Sequence, residues 1–168
     1  VDATPASPFI TEGQKLGIAV EGRYLYGAPA AHLRGEGVLR VMRDETPVAE
    51  AKGFVFGLQT QNFSPDQQSL AVPDTDDSGH AALSVLPEIP NGLTLPLKAE
   101  IRLSLFDPAG RSVSKILTLP IRRNRPLIGV RVTPPASGGE LETRSVPVDV
   151  IALNPDSKAL ANHALKWT

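Results

Sequence analysis

A chain of 168 residues, 41% hydrophobic and 21% charged, has enough apolar surface for one domain or for one domain and part of another. Its 17 Lys+Arg against 18 Asp+Glu leave a net charge of −1, so there is no electrostatic footprint for nucleic acid or an anionic membrane. The lack of cysteine excludes disulfides, thiolate metal sites and cysteine nucleophiles, and no apolar run is long enough for a membrane-crossing helix, so direct membrane insertion by this segment is not expected.

The chain opens Val1-Asp2-Ala3-Thr4-Pro5, with no initiator Met and no signal-peptide pattern, and reads as a piece of a longer polypeptide. Sixteen prolines and 14 glycines punctuate it, which leaves room for short strands and turns rather than helices. Residues 8–11 suit an edge strand. Leu16, Ile18 and Val20 alternate with polar or small residues, and this strand is expected to run on through Tyr24 and Tyr26 until Gly27-Ala28-Pro29 ends it. Residues 38–43 and the aromatic stretch 53–58 predict two more strands. Ala81, Leu83 and Val85 predict another, after the turn Asp74-Thr75-Asp76-Asp77-Ser78-Gly79.

Residues 97–105 carry the clearest signal. Leu97, Ala99, Ile101, Leu103 and Leu105 alternate strictly with Lys98, Glu100, Arg102 and Ser104, as in a strand with one dry and one wet face. Asp107-Pro108-Ala109-Gly110 then turns the chain into a second strand over 111–121, with Val113, Leu117, Leu119 and Ile121 on one face. About seven strands by Arg123 define an all-β, antiparallel immunoglobulin- or fibronectin-III-like sandwich over residues 1–124. Asn124-Arg125-Pro126 reads as a boundary. Beyond it, strands are expected at 127–132, 146–153 and 163–167, with a link at 134–139 and a turn at 154–157. Three strands cannot close a sandwich, so 125–168 reads as the beginning of a following domain, and Trp167 as part of that domain's core.

Residues that carry chemistry are scattered. His32, His80 and His163 stand alone, without metal-ligand spacing, and read as exposed histidines. Asp74, Asp76 and Asp77 resemble a calcium loop at a glance, but Val85 occupies the position where an EF-hand places Glu, so the stretch reads as an Asx-type turn. Gly35-Glu36-Gly37 is too short to cradle a phosphate, and no serine sits in a nucleophile elbow. Arg122, Arg123 and Arg125 suit a solvated linker or an interdomain contact. Tyr24 with Tyr26, and Phe54 with Phe56, share a face at i, i+2 spacing and are expected to fill the core between two sheets. No catalytic, cofactor-binding or metal-binding residues are assigned; the chain reads as a non-enzyme.

The segment Val20-Glu21-Gly22-Arg23-Tyr24-Leu25-Tyr26-Gly27-Ala28-Pro29-Ala30-Ala31 resembles the macroglobulin-domain strand of the alpha-2-macroglobulin family, in which an aromatic-x-Tyr-Gly-x-Pro segment ends one strand. Gly27 permits the turn and Pro29 stiffens it. Residues 53–58, 73–79, 126–130 and 165–168 are similar to the bacterial branch. The resemblance thus covers nearly the whole chain. It marks Tyr24, Tyr26, Gly27 and Pro29 as structural motif residues. It implies a late macroglobulin domain, then the start of the part that bears the bait region, in a large endopeptidase inhibitor that traps proteases after bait cleavage. It further implies neighbouring domains of the same polypeptide as partners, with target proteases reached through the parent. The implied location is the periplasm, with the parent commonly a lipoprotein of the cell envelope. The family's thioester needs a Cys that this chain lacks, and 133–144 reads as an ordinary loop rather than a bait. The competing reading is an independent immunoglobulin-like adhesion or ligand-binding module, which would display polar and aromatic loop residues at one end of the sandwich; the sequence shows no such cluster.

Overall fold

The computed structural model describes residues 1–133, 146–160 and 164. All its regular elements are strands: β1 (Asp2–Pro5), β2 (Ile10–Thr11), β3 (Leu16–Glu21), β4 (Arg34–Arg43), β5 (Val55–Phe56), β6 (Asp66–Leu70), β7 (His80–Val85), β8 (Leu97–Phe106), β9 (Ser112–Arg122), β10 (Leu127–Val132) and β11 (Val148–Leu153). They form a three-stranded sheet β1-β3-β7, a five-stranded sheet β2-β9-β8-β4-β6 and a second three-stranded sheet β11-β10-β5. Within them only β2 and β9 pair in parallel.

The alternating segment 97–105 lies at the centre of the five-stranded sheet. Leu97, Ala99, Ile101, Leu103 and Leu105 are all buried, and β8 pairs with β4 on one side and β9 on the other. The Asp107 turn forms as expected: its carboxylate accepts the amides of Ala109 and Arg111, each at 2.9 Å. Ala3, Leu16, Ile18, Val20, Leu83 and Val85 of the small sheet join Ile10, Leu39, Val41, Leu119 and Ile121 in the same apolar cluster. Two antiparallel-paired sheets with one shared dry interior are a β-sandwich.

Nine strands, not seven, precede Arg123. β1 and β6 escape a reading of periodicity because they lie at sheet edges: β1 buries only Ala3, and Asp-Gln-Gln-Ser-Leu in β6 buries nothing fully. β4 begins four residues early. Its first half includes Gly35 and Gly37, because Val72, crossing from β6 to β7, packs over them; a Cβ at Gly35 would lie 2.5 Å from Val72 Cγ1. The dry face of β9 does not reach its start: Leu119 and Ile121 are buried, but Lys115 reaches Asp2 at 3.1 Å and Val113 is exposed.

Stretch 53–58 contributes only Val55 and Phe56 to a strand, and that strand lies outside the sandwich. Val55 pairs with Val130 and Phe56 with Gly129, so β5 extends the sheet of β10 and β11. Phe56 is buried with its ring over Gly129, where a Cβ would meet it at 2.5 Å, while Phe54 is half-buried with Arg131 stacked on its ring at 4.5 Å. Phe56, Ala152 and Leu153 are buried outside the main cluster. β10 matches its expected bounds; β11 starts two residues later than expected. Asn154 caps the next turn, its Oδ1 accepting the amides of Asp156 and Lys158. The expected link 134–139, the loop 133–144 beyond Thr133, the strand 163–167 and Trp167 lie outside the described residues.

Among the connections that cross between the sandwich sheets, 22–33 leads from β3 to β4, and 71–79 leads from β6 to β7. Thr75, the one buried polar side chain among the described residues, fastens one to the other. Its hydroxyl donates to the Ala30 carbonyl (2.6 Å) and accepts the Leu33 amide (2.9 Å). Its backbone exchanges bonds with His32 and Leu33. Thr75→Val keeps the shape and strands both Ala30 C=O and Leu33 N–H, which is expected to destabilise the chain by about 2–4 kcal/mol. Urea unfolding should show a lower midpoint at unchanged slope, and Thr75→Ser, which keeps the hydroxyl, should fall well short of that loss.

Candidate functional site

The four motif residues Tyr24, Tyr26, Gly27 and Pro29 come together in one turn at the end of β3. β3 stops at Glu21 because Gly22 redirects its backbone: its amide bonds to the Gly79 carbonyl (2.8 Å), and its own carbonyl accepts the Ala30 amide (3.0 Å). The contact is so close that a Cβ on Gly79 (φ +82°) would lie 2.5 Å from Gly22 O. The chain then makes a small hairpin. Arg23 bridges Pro29, Tyr24 N–H bonds to Ala28 O (3.0 Å), and Gly27 N–H returns to Tyr24 O (2.9 Å). Gly27 has φ +93°, the left-handed region that favours glycine.

The expected strand through Tyr24 and Tyr26 is therefore replaced by a turn, and the two rings do not fill the core. Tyr26 is 80% exposed, Leu25 109% and Tyr24 38%. The rings stack on each other, with centroids 5.4 Å apart and planes 1° from parallel. The i, i+2 spacing correctly places them on one side, but that side faces solvent. An aromatic cluster at one end of the sandwich is thus present, contrary to the sequence expectation.

The acidic stretch folds as the Asx turn expected. Asp76 Oδ1 accepts the amides of Ser78 and His80 (both 2.9 Å) and the Ser78 hydroxyl (2.7 Å). The His80 amide leads these bonds in holding the Asp76 carboxyl below the ordinary carboxylate range. Its acceptor capacity goes to the turn, and among the described residues no group of three His, Asp or Glu side chains converges as metal ligands would. His32 adopts φ 56° opposite Thr75, with its ring 2.9 Å from Asp77; His80 meets Ser78 Oγ at 2.9 Å. Both are exposed, as expected, whereas His163 lies outside the described residues.

The arginine cluster sits where the sandwich meets the β10 sheet, and it is not merely solvated. Arg122 stacks on Phe9 at 3.6 Å and pairs with Asp156 at 2.6 Å. Arg123, whose side chain is only 9% exposed, forks onto Glu12 at 2.7 and 3.0 Å. Arg123 and Arg125 both donate to the Leu93 carbonyl. These bonds, rather than an incoming anion, occupy the guanidinium groups.

The fold and these tied loops define the class: a β-sandwich module of the immunoglobulin-like kind, followed by a further sheet joined to it. A family model described as "Bacterial Alpha-2-macroglobulin MG5 domain" matches residues 1–122, and the chain belongs to that family. Three solved structures illustrate the likeness. Trypsin-activated alpha-2-macroglobulin from Escherichia coli is 26% identical, with TM-score 0.64, over 78% of this chain and 9% of its own. E. coli alpha-2-macroglobulin activated by porcine elastase is 23% identical, with TM-score 0.70, over 93% and 14%. Salmonella alpha-2-macroglobulin reacted with methylamine is 22% identical, with TM-score 0.67, over 91% and 11%. This chain therefore spans a small fraction of the solved chains that it matches. A search of curated protein sequences finds no match.

Arg123 also contributes to the acid response of the module. Its hydrogen bonds hold the Glu12 carboxyl below the ordinary value of 4.5. A carboxylate depressed on folding contributes stability that is present above the unfolded pKa and lost as pH falls through the folded one. Glu12→Gln should therefore flatten the stability–pH curve below about pH 4.5, while leaving its shape near neutrality unchanged. Chemical denaturation across pH 2–7 measures this; an acid limb as steep as in the unmodified chain would refute the assignment.

Proposed function

We propose that this chain is a non-catalytic scaffold domain of an alpha-2-macroglobulin-like endopeptidase inhibitor, a protein that traps proteases after they cut its bait region. Within such a protein the module holds its neighbours in place and passes on the rearrangement that cleavage sets off. Residues 125–168 begin the next domain. The parent belongs in the periplasm, anchored as a lipoprotein; fractionation of cells producing it tests this, and recovery in the cytoplasm would refute it.

The observation that carries this reading is the outer face of the β11-β10-β5 sheet. The register places Ile128, Val130 and Val132 beside Ala152, Val150 and Val148, with Val55 opposite Val130. Val55, Val132, Val148 and Val150 are exposed, and the charged pair Arg131–Asp149 lies on the other face. A contiguous apolar sheet face, most of it β-branched, is built to be covered by another layer. In an array of domains that layer is the second sheet of the next sandwich. Membership of the family, together with the small share of the solved chains spanned, supports a parent that supplies it.

The alternative, a free-standing adhesion or ligand-binding module, has the exposed Tyr24–Tyr26 turn in its favour. It gives no role to the valine face.

Val150→Asp introduces a charge on that face at a position 37% exposed, opposite Val130 in the β10–β11 ladder. In the full-length polypeptide it should expose apolar surface to a fluorescent dye. It should also cut trapping by about tenfold or more, since burying an unpaired carboxylate costs several kcal/mol. Trapping is measured as protease that still cleaves a small peptide but no longer a protein. Unchanged dye binding and trapping would sink the scaffold reading.

A further inference from the structure

We propose that Asn91 is a site of spontaneous covalent modification. The Gly92 nitrogen attacks the Asn91 side-chain amide, and the residue passes through a cyclic imide to aspartate and isoaspartate. The isoaspartate form unfastens the turn that ties residues 57–61 to the sandwich.

Of the five asparagines in the sequence, Asn91 alone precedes glycine. Ring closure brings the next residue's nitrogen onto the asparagine Cγ, and a side chain on that next residue obstructs the approach. Asn62 precedes Phe63 and Asn124 precedes Arg125, while Asn154 precedes Pro155, whose nitrogen has no proton to release. The fold leaves Asn91-Gly92 open. Both residues are exposed at a turn between β7 and β8, Gly92 has φ +75°, and even a Cβ at Gly92 would meet nothing within 4 Å. Among the described residues no group accepts the Gly92 N–H or holds the Asn91 side-chain amide. Asn154, by contrast, is held by the amides of Asp156 and Lys158. In the reaction the Gly92 nitrogen bonds to Asn91 Cγ, the Cγ–Nδ2 bond breaks, and ammonia leaves with the proton that Gly92 gives up. Solvent water then opens the ring by breaking one of its two bonds between nitrogen and a carbonyl carbon. Opening at Cγ gives aspartate on an ordinary main chain. Opening at the main-chain carbonyl gives isoaspartate, in which the chain runs through Cγ.

The position matters because the main chain just after Asn91 is a point of attachment. Gly92 O accepts Gln61 Nε2 at 2.9 Å. Gln61 Oε1 accepts the Thr94 amide and the Thr94 hydroxyl, both at 2.7 Å, and Thr94 Oγ1 accepts the Leu58 amide at 2.8 Å. Leu93, buried in the core, offers its carbonyl to Arg123 and Arg125. Gly57 lies so close that a Cβ on it would be 2.6 Å from Thr94 O. One short turn therefore fastens the segment that follows β5, and through β5 the sheet of β10 and β11, to the sandwich. Isoaspartate adds a carbon to the main chain immediately before Gly92. Gly92 O then moves off Gln61, and Gln61 loses the bond that orients its oxygen toward Thr94. Aspartate adds the same negative charge but keeps the length of the chain, so it leaves these bonds in place.

The test incubates the full-length polypeptide, natively folded, at mildly alkaline pH, where more of the amide nitrogen is deprotonated. Peptide mass spectrometry follows the exchange of ammonia for water at each asparagine, and fragmentation separates aspartate from isoaspartate. Asn62, exposed like Asn91, is the internal reference. Asn91 should convert about tenfold or more faster than Asn62, a barrier lower by ~1.4 kcal/mol or more, and Asn91→Gln, whose ring would need a sixth atom, should stay unmodified. Hydrogen exchange then reads the attachment. In the isoaspartate form the amides of Leu58 and Thr94 should exchange about tenfold or more faster than in fresh protein, while those of β8 keep their rates. Fresh Gln61→Ala, which removes the same bonds without any modification, should reproduce that pattern, and fresh Asn91→Asp, which supplies the charge alone, should not. Conversion of Asn91 no faster than that of Asn62 would overturn the modification site. An isoaspartate form whose Leu58 and Thr94 amides exchange as in fresh protein would overturn the unfastening. Neither result bears on the scaffold reading, because trapping is not measured.

Discussion

The hydroxyl of Thr75 is the point on which the sandwich depends. A two-sheet fold must pass the chain from one sheet to the other, and each crossing carries backbone groups through a dry region that offers no ladder to pair with. Here two of the crossings, 22–33 and 71–79, satisfy each other. Thr75 supplies one donor and one acceptor to Ala30 and Leu33, and Gly22 and Gly79 meet through backbone alone at a distance only glycine allows. Val72, in the second crossing, fills the space left by Gly35 and Gly37. Polar closure and apolar filling in this corner come from the same short loop.

That closure also determines what the motif turn presents. Because Gly22 is committed to Gly79, β3 cannot run on, and the residues after it must loop outward before Ala30 returns to the core. The tyrosines are lifted away from the interior by the bonds that complete the interior. An aromatic-rich segment thereby becomes surface without any loss to packing, since Leu16, Ile18 and Val20 already fill the small sheet's share of the core.

The junction with the following sheet works by other means. β5 donates two residues to pair with β10, while Arg122, Arg123 and Arg125 tie the end of β9 to Asp156, Glu12 and Leu93. Backbone pairing and charge-assisted bonds link the two parts, while the apolar clusters stay separate. Such a joint links the two parts without merging their cores.

Residue order alone determined the strands in which every second side chain is apolar, above all Leu97 to Leu105, and the hairpin turn that Asp107, Pro108 and Gly110 dictate, because these depend on local geometry and a period of two. It also determined the Asx turn at Asp76, which is built from neighbours within four residues, and the family resemblance carried by the Tyr-Gly-x-Pro segment. It left β1 and β6 hidden, because an edge strand such as Asp66–Leu70 buries too little to show a pattern. Only the tertiary structure decided that β5 pairs with β10, that Thr75 is buried, and that Tyr24 and Tyr26 face outward. Each of these rests on partners far away in the chain, as Val55 with Val130 or Gly22 with Gly79 show, and spacing within a segment carries no information about which distant backbone meets it.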